Sequence, residues 1–232
     1  MEQYVLSNKS PHFILKPFYK SFQSNDNYQM EQGIETPIKR YYFQPKLVKN
    51  YSDSFSLFLK TSGENLYSII EGDAHLREIA GDFFKEYKLD FVFDIDKKKF
   101  LIQKRIGNIV YNWTLTMTPD TFQRLIYYLA AIYSNNNSVL LFEEPEAHSF
   151  PPYISMIGEL IGKKAENQYF ISTHSPYVYQ SIVSNTNKDD LAVWALSYSK
   201  GQTKMVQLTE KQIGETLSDG VDVFQNIERY TK

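Results

Sequence analysis

The stretch Ser138-Val-Leu-Leu-Phe-Glu143-Glu144-Pro145-Glu146-Ala147-His148 is followed downstream by Ile171-Ser172-Thr173-His174-Ser175-Pro176. The first is a short apolar run that ends in two adjacent carboxylates. The second continues the apolar Tyr169-Phe170-Ile171 and ends in a hydroxyl pair and a histidine. Between them, Pro151 to Lys164 reads as a helix. A strand, helix, strand order of this length predicts a right-handed parallel crossover, because parallel strands need a connection long enough to bring the chain back. Both polar endings then lie at one edge of the sheet, the edge at which open parallel sheets bind ligands. Glu143, Glu144 and His174 are expected to converge there.

Upstream, Met117-Thr118-Pro119-Asp120 reads as a helix start, with Thr118 as cap, Pro119 at the first position and Asp120 facing the helix dipole. Phe122, Leu125, Ile126, Leu129 and Tyr133 form its apolar stripe. An earlier helix follows Asp73 as N-cap, with Leu76, Ile79, Ala80, Phe83, Phe84 and Tyr87 on one side. Between these helices, Asp90–Asp94, Phe100–Lys104 and Ile109–Thr116 read as an antiparallel meander. Its turns are Asp96-Lys97-Lys98-Lys99 and Gly107-Asn108, the latter with a type I′ preference. Arg40 to Gln44 reads as a strand ending before Pro45, and residues 1–35 as a source of edge strands. Leu57-Phe58-Leu59 leads to a glycine turn, Ser62-Gly63-Glu64-Asn65, before a helix. Leu191–Leu196 and Thr203–Leu208 are expected to pair across Lys200-Gly201, and residues 209–229 to form one or two closing helices.

Composition narrows the function. Zero cysteines exclude disulfides and thiolate metal sites and fit a reducing compartment. A net charge of −2 gives no global electrostatic reason to bind nucleic acid. No apolar run approaches the roughly 20 residues of a membrane span, and the first residues lack a signal-peptide core. A soluble, cytoplasmic protein is expected. Its 18 Tyr and 16 Phe suit strands and interfaces.

The motifs resemble those of ABC-type ATPases, in the soluble branch shared by chromosome-maintenance ATPases, overcoming-lysogenization-defect nucleases and many AAA-labelled ATP-binding proteins. Leu140 to His148 is similar to the Walker B strand and its loop, and Thr173-His174-Ser175-Pro176 to the histidine switch. Thr121 to Ile132 resembles the helix after the signature motif. The likeness runs from about residue 40 to 185 and implies an α/β fold of P-loop NTPase type. That fold would be three-layered, with a mainly parallel sheet and the antiparallel meander as an inserted lobe. It further implies one partial ATPase domain over 1–232: N-terminal strands over 1–56, the inserted lobe and signature-like helix over 57–137, and the Walker B and switch core over 138–232.

A P-loop needs Gly-x4-Gly-Lys-Ser/Thr, so that backbone amides cradle phosphates and a hydroxyl reaches the metal. None of the ten glycines is so spaced. Gly158-Glu-Leu-Ile-Gly162-Lys163-Lys164 is one residue short between its glycines, lies in a helical pattern and ends in Lys. The expectation is an ATPase domain without its N-terminal P-loop lobe, inactive alone.

By resemblance, Glu143 would hold Mg2+, Glu144 would polarise the attacking water and His174 would contact the γ-phosphate of ATP. Thr118 and Thr121 stand in the signature region, where hydroxyls at a helix N-terminus replace the usual Ser and Gly amides. Gln44 matches the metal-sensing glutamine at a strand end. Glu146 and His148 fall where the family's loop meets the opposite subunit; they read equally as an ordinary helix entry before Pro151-Pro152. The partner would be a second copy, head to tail, or a P-loop-containing chain. Two other readings stand beside this one. One is a non-catalytic scaffold or regulatory subunit of a defence or genome-maintenance system. The other is a metal-dependent hydrolase or nuclease using Glu143, Glu144, Glu146, His148 and His174; there Glu144 and His148 have helical spacing, but Pro145 favours a turn.

Overall fold

The structure is a computed structural model that describes residues 4–7, 38–45, 56–149, 151–218, 224 and 226–231. In chain order the elements are β1 (Tyr4–Ser7), β2 (Ile38–Tyr41), α1 (Leu66–Gly72), α2 (Ala74–Lys85), β3 (Asp90–Asp94), β4 (Lys99–Ile106) and β5 (Ile109–Thr114). Then come α3 (Asp120–Ser134), β6 (Val139–Glu143), α4 (Pro151–Lys163), β7 (Gln168–Thr173), α5 (Pro176–Asn185), β8 (Ala192–Ser199), β9 (Gln202–Gln207), α6 (Glu210–Ser218) and α7 (Glu228–Thr231).

The crossover at the centre forms as the apolar runs dictate: β6, α4 and β7 follow one another, and β6 and β7 are parallel neighbours with Glu143 opposite Ser172. The large sheet has the order β2-β6-β7-β1-β8-β9. It is less parallel than expected. β2–β6 and β6–β7 pair parallel, whereas β1–β7, β1–β8 and β8–β9 pair antiparallel. The reason is β1. The segment expected at an edge lies between β7 and β8, which run in the same direction, and fills the slot between them antiparallel to both. The rest of 1–35 lies outside the described residues.

Exposure alternates along β6 and β7 with the two-residue period of a sheet. Leu140, Phe142, Tyr169 and Ile171 are buried, and α3 covers this face through edge-on contacts of Tyr127 with Tyr41 and of Tyr128 with Phe142. Arg40, Leu141, Glu143, Phe170 and Ser172 share the other face and line a shallow groove of about 240 Å³. A one-sided stripe was expected for α3, yet Gln123 through Ile132 are all buried. The helix is wedged between the sheet and the aromatic cluster of Phe83, Phe84, Phe122 and Tyr153.

The meander forms with Asp94 opposite Lys99 and Ile106 opposite Ile109. Its tight turn is not type I′, since Gly107 has a φ of 59° but Asn108 is not in the left-handed region. That turn chemistry occurs instead at Lys200-Gly201, with φ of 51° and 80°, joining β8 to β9. Asp73 caps α2 as expected, accepting from the His75 and Leu76 amides at 2.8 and 3.1 Å. Thr118 does not cap α3. Pro119 holds the N-cap position, and the Thr118 hydroxyl turns back to donate to Leu115 O at 2.6 Å. The strand expected over Arg40 to Gln44 ends at Tyr41.

Gly158 and Gly162 lie inside α4, where α5 crosses closely. A Cβ on Gly158 would come within 2.6 Å of the Ser181 Cβ, and one on Gly162 within 2.4 Å of the Asn185 carbonyl oxygen. These glycines allow close helix packing, which accounts for their spacing without a phosphate loop.

Two asparagines set the start of the central strand. Asn167 Oδ1 accepts from the Ser138 amide at 3.1 Å, while its Nδ2 donates to Asn135 O at 2.8 Å. Asn135 Oδ1 accepts from the buried Lys39 Nζ at 2.7 Å, and its Nδ2 donates to the Tyr41 hydroxyl at 2.8 Å. No helix among the described residues is long and apolar enough to cross a membrane.

Candidate active site

Glu143 is the last residue of β6. The Glu144 amide still donates to Ser172 O at 2.9 Å, but its φ of 43° swings the chain out of the ladder. A left-handed conformation costs a non-glycine residue roughly 1–2 kcal/mol, and such strain concentrates at functional sites. Two successive turns follow, Ala147 N–H to Glu144 O at 3.0 Å and Ser149 N–H to Glu146 O at 2.9 Å, before α4 begins. His148, with a φ of 59°, closes the loop and is exposed. Pro145 thus starts a turn, as its residue type suggests, and the 144–148 helical pairing does not form.

Across the loop, β7 ends at Thr173, and Ser175 N-caps α5 with Pro176 at the helix start. His174 sits at this junction. Its Nε2 lies 2.8 Å from Glu144 Oε1, with the two side chains 32% and 37% exposed, so the pair is reachable from solvent. Glu143 pairs with the guanidinium of Arg40 from the neighbouring β2. Glu143, Glu144 and His174 therefore come together at the carboxyl edge of the sheet, as the spacing predicts, with both carboxylates facing a cationic or protonatable group.

The acidic loop holds a third carboxylate with a different fate. Glu146 matches a position at which the resembled family's loop meets the opposite subunit, but here it is only 9% exposed and turns inward. Its Oε1 accepts from the Thr173 hydroxyl at 2.6 Å and from the His174 amide at 2.9 Å. Its Oε2 is buried and makes no hydrogen bond among the described residues. The bracketing left-handed residues Glu144 and His148 explain the inward turn.

Of the remaining candidates, the Thr121 hydroxyl donates to His148 O at 3.3 Å, which ties the start of α3 to the acidic loop. Thr118 is committed to Leu115 and has no described contact with the loop. Gln44 is exposed just beyond β2, at the same end of the sheet as Glu143. Sequence reading missed Arg40, Thr173 and the inward role of Glu146. An arginine within the Arg40-Tyr41-Tyr42 run was the one available signal, since a charge in a strand needs a partner.

Among the described residues no group of three or more His, Asp or Glu side chains could hold a metal by itself. The donors fit a more modest demand. Glu143 Oε2 faces Arg40, so the carboxylate can still offer its other oxygen to a hard cation such as magnesium, which keeps most of its waters and binds one or two carboxylates.

The family model described as "AAA domain, putative AbiEii toxin, Type IV TA system" matches residues 12–179. That is well over half of the 232 residues, and the chain belongs to this family of AAA domains. No curated protein matches it. A solved structure reported under "Structural biochemistry of ATP-driven dimerization and DNA stimulated activation of SMC ATPases" aligns with a TM-score of 0.44 and 14% identity. The alignment covers 67% of this chain and 96% of that one.

Proposed function

We propose that this chain supplies the Walker B and switch half of an ATPase site that hydrolyses ATP with magnesium. The observation that carries the reading is the Glu144–His174 contact of 2.8 Å at the carboxyl edge of the sheet, beside Glu143, in a chain of an AAA family. Phosphoryl transfer relies on positioning and on electrostatic stabilisation of charge. A magnesium ion held through Glu143 would neutralise charge developing on the phosphate oxygens. Glu144 makes its described side-chain contact through Oε1, which leaves Oε2 to orient a water and take its proton. His174 contacts Glu144 through Nε2 and lies just before the α5 N-terminus, where anionic groups are favoured. Thr121 and Gln44 flank this edge. Thr118, turned toward Leu115, is the weakest of the proposed nucleotide contacts.

The phosphate cradle comes from P-loop-bearing polypeptide outside these 232 residues, in cis or on a partner chain. Calorimetric titration of the chain alone with ATP and magnesium then gives no saturable micromolar binding. Adding a Gly-x4-Gly-Lys-Ser/Thr segment in cis or in trans restores binding and hydrolysis. Tight binding by the chain alone contradicts this reading.

A non-catalytic regulatory subunit is the second reading. The observation in its favour is Arg40, which already offsets the charge of Glu143 through one carboxylate oxygen. Hydrolysis that never appears on adding the P-loop segment supports it.

A further inference from the structure

We infer that Glu146 is a positioning residue that sets the Glu144–His174 pair, an assignment that rests on the ATPase reading of that pair. The β6–β7 ladder ends with Glu143 opposite Ser172 and the Glu144 amide on Ser172 O. Beyond that point β6 turns away, and backbone pairing no longer holds the two chain ends together on this side. The Glu146 carboxylate replaces it. One oxygen accepts from both the Thr173 hydroxyl and the His174 amide, and Thr173 Oγ1 in turn accepts from the Ser175 amide at 3.0 Å.

These bonds close a ring. From Glu144 the path runs along the backbone to Glu146, across to the His174 amide, through the His174 ring and back to Glu144 Oε1. The backbone position of His174 sets where its ring can reach, and one hold on that backbone is a side chain two positions from the carboxylate the ring meets. Thr173 is fully buried and Glu146 nearly so, which protects these bonds from competing water and strengthens a charged acceptor. The requirement is for an acceptor at this reach. Glutamine supplies one, methionine fills the volume without one, and aspartate is a methylene too short.

The test uses full-length Glu146→Gln, Glu146→Met and Glu146→Asp, without nucleotide. It reads crystal structures, for the Nε2–Oε1 separation, and amide hydrogen exchange by NMR. Glu146→Gln keeps the pair in hydrogen-bond contact and leaves His174 amide exchange within about threefold of the parent. In Glu146→Met and Glu146→Asp the pair opens beyond about 3.5 Å, and His174 amide exchange accelerates by about tenfold or more. Exchange elsewhere in β6 and β7 stays unchanged. A role in fold stability alone would raise exchange evenly across both strands and leave the pair closed. Retention of the pair in either folded variant, Met or Asp, overturns the assignment, as does its loss in Gln. Because no nucleotide is involved, this outcome is separate from the ATPase reading, which turnover of Glu144→Gln decides.

Discussion

Replacing Gly162 with alanine sets two effects against each other. Alanine gains about 1 kcal/mol over glycine within a helix. At Gly162, however, the new Cβ would stand 2.4 Å from the Asn185 carbonyl oxygen and 2.8 Å from its carbonyl carbon. Both are backbone atoms that cannot rotate away, so α5 must retreat by about 1 Å to reach ordinary contact. Overpacking of that kind costs roughly 1–3 kcal/mol, and a backbone obstacle places it in the upper part of the range. The net loss is about 1–2 kcal/mol, a Tm drop of about 2–8 °C for a chain of this size. Gly81 in α2 is the internal control. Nothing lies within 4 Å of its added Cβ, so Gly81→Ala keeps the full helix gain and raises Tm by about 2–4 °C. Thermal melts by circular dichroism give the two signs directly. A rise in both variants refutes the close α4–α5 approach, and with it the packing account of the Gly158–Gly162 spacing.

Burial pushes the Tyr128 hydroxyl up to about 12, and burial likewise raises Tyr41, Tyr127 and Tyr169 above the usual 10.0. The neutral forms are favoured in the folded state, so their contribution is fully present below pH 10 and is lost as pH rises through 12 and beyond. Absorbance titration at a phenolate wavelength, run beside denaturant melts, checks that stability falls over this window as the buried tyrosines ionise. Asn135→Leu takes the amide acceptor from the buried Lys39 ammonium and the donor from Tyr41, and costs about 2–4 kcal/mol in a urea melt. His174→Ala breaks a contact about a third exposed to solvent, so the isolated chain loses at most about 1 kcal/mol; a large drop in Tm would mark a structural histidine instead.

Much of the fold was readable because its signals were local. The apolar run of β6, the helical period of α2 with Asp73 at its head and the meander over Asp90–Thr114 each announce themselves in a few consecutive residues. Convergence of Glu143, Glu144 and His174 followed from one topological rule about crossovers. What sequence could not show depended on distant partners. β1 looks like any short apolar strand, and only the vacancy between β7 and β8 makes it central and antiparallel. Glu146 looks like its two acidic neighbours. Its inward turn comes from left-handed backbone at Glu144 and His148, which neither residue type signals. Thr118 has the composition of a cap, yet the short turn at Leu115 captures its hydroxyl first. Asn135 and Asn167 resemble loop residues until Ser138, Lys39 and Tyr41 are brought to them.

We propose that Glu144 activates water in an ATPase site completed by a phosphate loop from outside this sequence. The most direct measurement is steady-state ATP turnover of the completed enzyme with Glu144 and with Glu144→Gln, alongside ATP binding by calorimetry. Glutamine keeps the size and hydrogen bonding of the side chain but cannot take a proton. Turnover should fall by about 10²-fold or more while ATP binding is retained. Equal turnover in the two proteins would contradict the account.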